Sequence, residues 1–263
     1  MSGLCVQVEG IGLWSSALAD FAALRTLLAG TVPAPPPPRP AAATLPPNER
    51  RRAPESVLLA VEAAGQAVAM SGRDAATLAC VFASSHGDQP ITDYMCATLA
   101  RAPAELSPIR FHNSVHNAAV GYWTIATGCH APSTAVAAQH ASAGAGLLEA
   151  ASQVVADQRP VLLVCSDTAG SGPLREATGC VAPFACALVL APVAGASGMA
   201  RLRLQLAPAQ APSALPAPLD GWRRDNPSAE ALALLARLAA GAGPSRLAAA
   251  PGLDVIIDME PVP

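Results

Sequence analysis

The sequence predicts a layered α/β domain with a largely parallel central sheet. Two observations lead there. Short apolar runs that read as buried strands recur along the chain, at residues 77–85, 160–166 and 184–191. Longer Ala- and Leu-rich segments with helical start and stop signals lie among them, notably 55–72 and 142–156. Strands that alternate with helices pack as a sheet covered by helices, and right-handed crossovers restrict the strand order. With 263 residues the chain is long enough for one large domain, expected over 1–263.

Each element has a local reason. LCVQVEGIGLW, from Leu4 to Trp14, alternates and then turns at glycines, as a strand and its exit do. Asp20 can cap the short helix FAALRTLLAG, which ends at Gly30. Residues 32–47 are Pro-rich and suit an extended surface loop, because proline removes a donor and clashes inside a helix. Pro54 opens the long helix ESVLLAVEAAGQAVAMSG, with Gly72 near its end. TLACVFASS is an almost continuous apolar run, as expected for a central strand covered on both faces. Helical signal returns at ITDYMCATLA and again from Ser114 to Thr127, where Tyr122 and Trp123 lie. A strand at 134–138, a helix at 142–156 and the strands PVLLVCS, FACALVLA and ARLRLQLA follow. A second Pro-rich loop, 207–218, leads to the helix AEALALLARLAAG and the closing strand GLDVIIDME.

Composition excludes several function classes. Hydrophobic residues make up 52% and charged ones 13%, and with only 3% aromatics the excess is Ala, Leu and Val. A net charge of −3 gives no case for nucleic acid or an anionic membrane as partner. The N-terminus lacks the basic-then-apolar pattern of a signal peptide. No segment reads as a membrane span of about 20 apolar residues. The nearest, the uncharged stretch from Phe111 to Leu148, holds four His and two Asn and suits a buried or interface-forming element. Seven Cys without a CxxC pair or secretion signal point to reduced thiols and a cytoplasmic protein.

The common chemical motifs are missing. No GxGxxG, GxxxxGKS/T or GxSxG stands in the right context, so no dinucleotide, P-loop or hydrolase reading is supported and no cofactor is expected. His112 and His116 are spaced to share one face of a helix, but no HExxH glutamate or third ligand accompanies them, and no metal is expected. Cys129 and His130 adjoin, yet neighbours on one chain rarely point at each other. The stretch STAVAAQHASAGAGLLEA, Ser133 to Ala150, is the informative one: a strand running into a helix, where many α/β enzymes put a nucleophile. Its turn holds Gln139 and His140, with no Ser or Cys at the apex.

The run from Phe111 to Ala169 resembles the β-ketoacyl synthases of fatty-acid and polyketide synthesis. That family has an SNxxAG-type helix, a GxxGPS strand, a TACASG nucleophile elbow and a helix containing AIGEA. Here Asn117-Ala118-Ala119-Val120-Gly121, Gly128 and Pro132-Ser133 correspond. Counting forward from Pro132-Ser133 and back from Glu149-Ala150 both put the family's cysteine at His140. VQVEGIGLWS and RRRAPESVLLAVEAAGQAVAMSG are similar to the family's first strand and first long helix. The HTGT and NxFGFGG stretches that carry the family's catalytic histidines are absent. The resemblance implies a thiolase-like layered fold, the first half of a ketosynthase with a shortened C-terminal part. It is nearest to the short chain-length-factor-like proteins of aryl polyene and xanthomonadin-type pigment clusters.

It also implies roles for residues. No catalytic residue is expected, since His140 replaces the thiol and an acyl-imidazole would hydrolyse and lose its chain. His140 is expected to fill a pocket through hydrogen bonds. Gln139, His140, Ala141, Ser142, Gly144 and Gly146 form the elbow and its pocket, with one of the two glycines able to line a partner's acyl channel. Phe111, Val115, His116, Asn117, Tyr122 and Trp123 are expected at an interface with a full-length β-ketoacyl synthase, through which an acyl carrier protein would act. Two other readings stay open: an independent thioesterase or acyltransferase using His140 with Ser142 or Cys129, and a structural homodimer.

Overall fold

The computed structural model describes residues 3–193, 198–241 and 243–261. Its strands are β1 (Leu4–Ser15), β2 (Ala79–Ala83), β3 (Ser133–Val136), β4 (Val161–Asp167), β5 (Phe184–Pro192), β6 (Ala200–Pro208), β7 (Ser245–Ala250) and β8 (Leu253–Pro261). Its helices are α1 (Phe21–Leu28), α2 (Pro47–Arg52), α3 (Glu55–Ser71), α4 (Gln89–Arg101), α5 (Pro108–Asn113), α6 (Ala118–Thr127), α7 (Ser142–Asp157), α8 (Pro173–Thr178), α9 (Leu219–Asp225) and α10 (Leu232–Ala240). The expected cap is in place: the Asp20 carboxylate accepts from the Ala23 N–H at 2.7 Å. Gly72 closes α3 in the left-handed conformation, φ 67°.

One eight-stranded sheet runs in the order β3-β2-β4-β5-β1-β6-β8-β7. Only β2 with β3 and β2 with β4 are parallel; the other pairings are antiparallel. The expectation of a largely parallel sheet therefore fails. Apolar runs report burial on both faces, not strand direction, and β4 and β5 are buried on both faces while running in opposite senses. On the far side of β1, β6 takes up where β5 ends: Pro192 is level with Val6, and Ala200 with Val8.

Two helices cover the sheet. Against one face, α3 packs Val57, Leu58 and Val61 with Phe82, Leu162, Val164 and Val189. On the other, α7 packs Ala143, Leu147, Ala150 and Val154 with Val81, Leu163, Leu188 and Ile11. The sheet curls round α7, which touches β1, β2, β4, β5, β7 and β8. Glycines make both fits possible. A Cβ on Gly10 or Gly12 would stand 2.0 Å from the Ala67 carbonyl oxygen or 1.9 Å from that of Ala63, so α3 lies directly on β1. A Cβ on Gly144 would stand 2.1 Å from the Ala248 carbonyl oxygen of β7, and one on Gly146 2.9 Å from Ala83 Cβ and 3.1 Å from Leu163 Cδ1. The two α7 glycines thus face opposite arms of the same sheet. Neither lines a channel, which corrects the expectation for Gly144 and Gly146.

Three departures have local causes. The helix expected over 114–127 starts only at Ala118, and residues 114–117 form the turn after α5. His112 and His116 therefore lie on a helix and in a turn, not along one helical face. Strand β7 was not foreseen, because SRLAAA is short and alanine favours strands poorly. Helix α2 buries no side chain, so no periodicity marks it.

We expect Gly144→Ala to lower stability by about 3 kcal/mol, since the added methyl meets a backbone carbonyl that cannot rotate away. Gly121, in α6 with open space where its Cβ would be, is the control. There alanine should add about 0.5–1 kcal/mol through helix propensity. Urea denaturation of the two variants reads both signs.

Candidate functional site

The elbow follows the edge strand β3. The chain leaves Val136, makes a single 3-10 turn at Gln139–Ala141 and enters α7. Gln139 takes φ 51°, left-handed backbone that costs a side-chain-bearing residue of order 1 kcal/mol. The strained position is thus Gln139, one residue before His140. Hydroxyls hold it there. Ser142 Oγ donates to the Gln139 carbonyl at 2.7 Å and accepts from the Ala138 N–H at 2.9 Å. Ser85 Oγ lies 2.6 Å from the same Gln139 carbonyl. Ser142 is 1% exposed, so its hydroxyl is a fastener of the turn and not a free nucleophile.

His140 is exposed and makes no hydrogen bond among the described residues, which corrects the expectation of a pocket-filling, hydrogen-bonded imidazole. Its electrostatic neighbour is Glu230, whose carboxyl is raised by burial while Arg223 and His140 pull it back. Cys129 is buried, and its thiol donates to the Leu78 carbonyl at 3.2 Å. The Cys80 thiol donates to the same carbonyl at 3.3 Å, and burial pushes it up to about 12. Both thiols are buried packing groups, and His130 beside Cys129 is exposed. The structure therefore brings neither Cys129 nor a free Ser142 hydroxyl to His140. No group of three metal-ligating side chains occurs among the described residues.

Asp167, at the end of β4, is the residue that sequence reasoning missed. Its carboxylate is 1% exposed and accepts from Ser84 Oγ at 2.8 Å, the Ser85 N–H at 2.9 Å, the His86 N–H at 3.0 Å and Ser228 Oγ at 2.6 Å. Asn226 Nδ2 donates to its backbone carbonyl at 2.9 Å. One carboxylate thus ties the loop after β2, the end of β4 and residues 226–228 together, and Ser85 passes the restraint on to the elbow. The available signal was a carboxylate closing the otherwise buried apolar strand VLLVCSD.

The expected interface residues divide. Phe111 and Val115 are 56% and 49% exposed, and His116 and Asn117 are exposed beside them. Tyr122 is half-buried, its hydroxyl donating to Asn113 Oδ1 at 3.2 Å. Trp123 is 1% exposed and packs in the α3 core, so it is not a surface residue. Its position on α6 faces α3, which no local pattern in an apolar helix discloses. Ile109 on α5 and Ile125 on α6, 69% and 84% exposed, are further apolar side chains in solvent that sequence reasoning missed. Val115, Tyr122 and Ile125 line a groove of about 460 Å³ that Leu45 and Glu49 close from the other side. Beside it, β3 ends the sheet, with Ser133, Ala135 and Ala137 exposed.

Residues 29–248 match the model of the beta-ketoacyl synthase N-terminal domain, and the chain belongs to that family. No curated protein matches it in sequence. Among solved structures it is similar to the ketosynthase (ApeO) in complex with its chain length factor (ApeC) from Xenorhabdus doucetiae. That match has a TM-score of 0.74 and 22% identity over 97% of this chain and 99% of that one. The ishigamide ketosynthase/chain length factor gives a TM-score of 0.72 and 15% identity over 99% and 100%. AntDE:AntF, a type II PKS acyl-carrier protein in complex with its ketosynthase, gives 0.63 and 17% over 80% and 70%. The fold is the thiolase-like ketosynthase fold, in the extent of a ketosynthase half.

Two outcomes follow. Asp167→Asn should cost about 2–4 kcal/mol, because an amide cannot satisfy all the buried donors, and amide hydrogen exchange at residues 84–86 should speed up with it. His140→Cys should not confer condensation: the family's histidine stretches are absent, so nothing stabilises the enolate formed on decarboxylation. Turnover of malonyl and acyl carrier-protein substrates by that purified variant alone would overturn this.

Proposed function

We propose that this chain is the non-catalytic, chain-length-factor-like subunit of a β-ketoacyl synthase heterodimer, acting in fatty-acid or polyketide-type elongation and most specifically in aryl polyene assembly. The observation that carries it is the elbow: His140, which the resemblance sets at the family's nucleophile position, is a solvent-facing imidazole on a serine-fastened turn. A condensing enzyme needs a thiolate there to hold the growing chain as a thioester, lowered in pKa by a helix N-terminus or neighbouring imidazole. A chain that keeps the turn and lacks the thiol retains the scaffold without the chemistry. Two neighbours that this chain covers over 99% and 100% of their length are described as a ketosynthase with its chain length factor, which supports the same reading.

The partner in this proposal is a full-length β-ketoacyl synthase that supplies the cysteine and histidines and receives the acyl carrier protein. This chain supplies surface. Pro132 and Val136 carbonyls accept from β2, so by the two-residue alternation of a strand Ala135 points its own N–H and carbonyl to the open edge. Phe111, Val115 and Ile125 are exposed, and the turn that holds Val115 is tied to the end of β3 through Ser84, whose carbonyl meets His116 Nε2 and whose N–H donates to the Val136 carbonyl. A strand edge next to an apolar face gives both the directional and the area terms of a stable heterodimer.

Co-expression with the ketosynthase of the same gene neighbourhood should yield a one-to-one complex that condenses substrates, while this chain alone does not. Val115→Glu should abolish co-purification by placing an unpaired charge in the apolar contact, at about several kcal/mol. Ala135→Pro should weaken it by removing an edge donor while leaving the bonds to β2. Both variants should keep the unfolding temperature of the isolated chain, and wild-type co-purification of either would remove β3 and α6 from the interface.

A further inference from the structure

We propose that the groove between α1 and α10 binds a single acyl chain carrying an anionic head group. With a volume of about 790 Å³, it is the largest cavity among those described and falls within the range of small-molecule sites, roughly 300–1,000 Å³. Leu28, Ala29, Leu215, Pro216, Ala236 and Ala239 give it an apolar lining. Arg25 and Arg237 are the charged residues on that lining. Neither forms an ion pair or a side-chain hydrogen bond among the described residues. Thr26, the remaining polar side chain of the lining, already donates to the Ala22 carbonyl at 3.0 Å.

The charge balance favours an anion. Arg25 and Arg237 each stand in the last turn of a helix, where the helix end contributes about −0.5 charge. Two full positive charges against two such partial ones leave the rim net positive. A guanidinium fork takes a carboxylate or phosphate through two parallel hydrogen bonds. An apolar cleft with two unpaired guanidinium groups and no carboxylate on its lining suits a molecule with an alkyl body and an acidic end better than a cation. The groove's wall is steady: Arg223 Nη1 donates to the Ser213 carbonyl at 3.0 Å and the Leu215 N–H donates to Asp220 Oδ1 at 3.4 Å, holding the Pro-rich segment over it. The site lies against β1, β7 and β8 and not at the β3 edge, so it is independent of the pairing with a ketosynthase.

Titration of the purified full chain with 11-(dansylamino)undecanoic acid, a fluorescent fatty acid, tests this. Saturable one-to-one binding is expected, displaced by dodecanoate or dodecyl phosphate at least tenfold better than by dodecanol; the stronger of the two anions identifies the head group. Arg25→Gln/Arg237→Gln, at exposed positions, should weaken binding at least tenfold with unchanged circular dichroism, and Ala236→Phe should block it by filling the lining. Absence of saturable binding overturns the proposal, as does equal displacement by dodecanol or undiminished affinity in the arginine double variant.

Discussion

Close backbone contact across glycine is the constraint on which this structure depends. Helix α7 lies inside the curl of the sheet because Gly144 lets the Ala248 carbonyl of β7 come to its backbone while Gly146 seats the opposite side on Ala83 and Leu163. Helix α3 reaches β1 through Gly10 and Gly12 in the same manner. Interiors pack at the density of organic crystals and tolerate little extra volume. Removing side chains at four points lets helix and sheet approach more closely than ordinary side chains permit, so the small residues Ala63, Ala67, Ala83 and Ala143 fill the space. The alanine-rich, aromatic-poor composition is the counterpart of that closeness.

The second organising feature is polar. Burying a carboxylate is costly unless its oxygens are satisfied, and Asp167 is satisfied by groups from two segments far from it in sequence, residues 84–86 and Ser228. Those segments surround the elbow. Ser84 joins the network by its hydroxyl, and its carbonyl meets His116 Nε2 at 2.9 Å, so the carboxylate also restrains the turn before α6. The elbow, the exposed turn and the C-terminal segment form one hydrogen-bonded unit, which holds the turn at Gln139 in shape. Strained backbone persists only where surrounding bonds over-determine it, and at Gln139 two serines do so.

The elbow and the surface of α5 and α6 have separate chemistry. At the elbow, hydroxyls are engaged and the imidazole of His140 stands in solvent. Along α5 and α6, apolar side chains stand in solvent beside an unpaired strand edge, an arrangement that proteins ordinarily cover.

Much of this was legible in the letters. Periodicity and capping placed β1, α1, α3, β2, α7, β4, β5, β6 and β8, because each obeys a local rule: alternation, an aspartate cap, a proline start or an unbroken apolar run. The strand and helix signals on either side put Gln139 and His140 in the turn between β3 and α7, where the structure has them. Strand direction, the inward side of Trp123, the roles of Gly144 and Gly146 and the Asp167 network were decided by tertiary structure alone. Direction depends on which strands meet, and burial is the same for either sense. A glycine's letter records missing volume and not the atom that occupies it. Asp167 is bound by Ser84, Ser85, His86 and Ser228, partners roughly 60 to 80 residues away, and only the folded chain brings such residues within reach of one carboxylate.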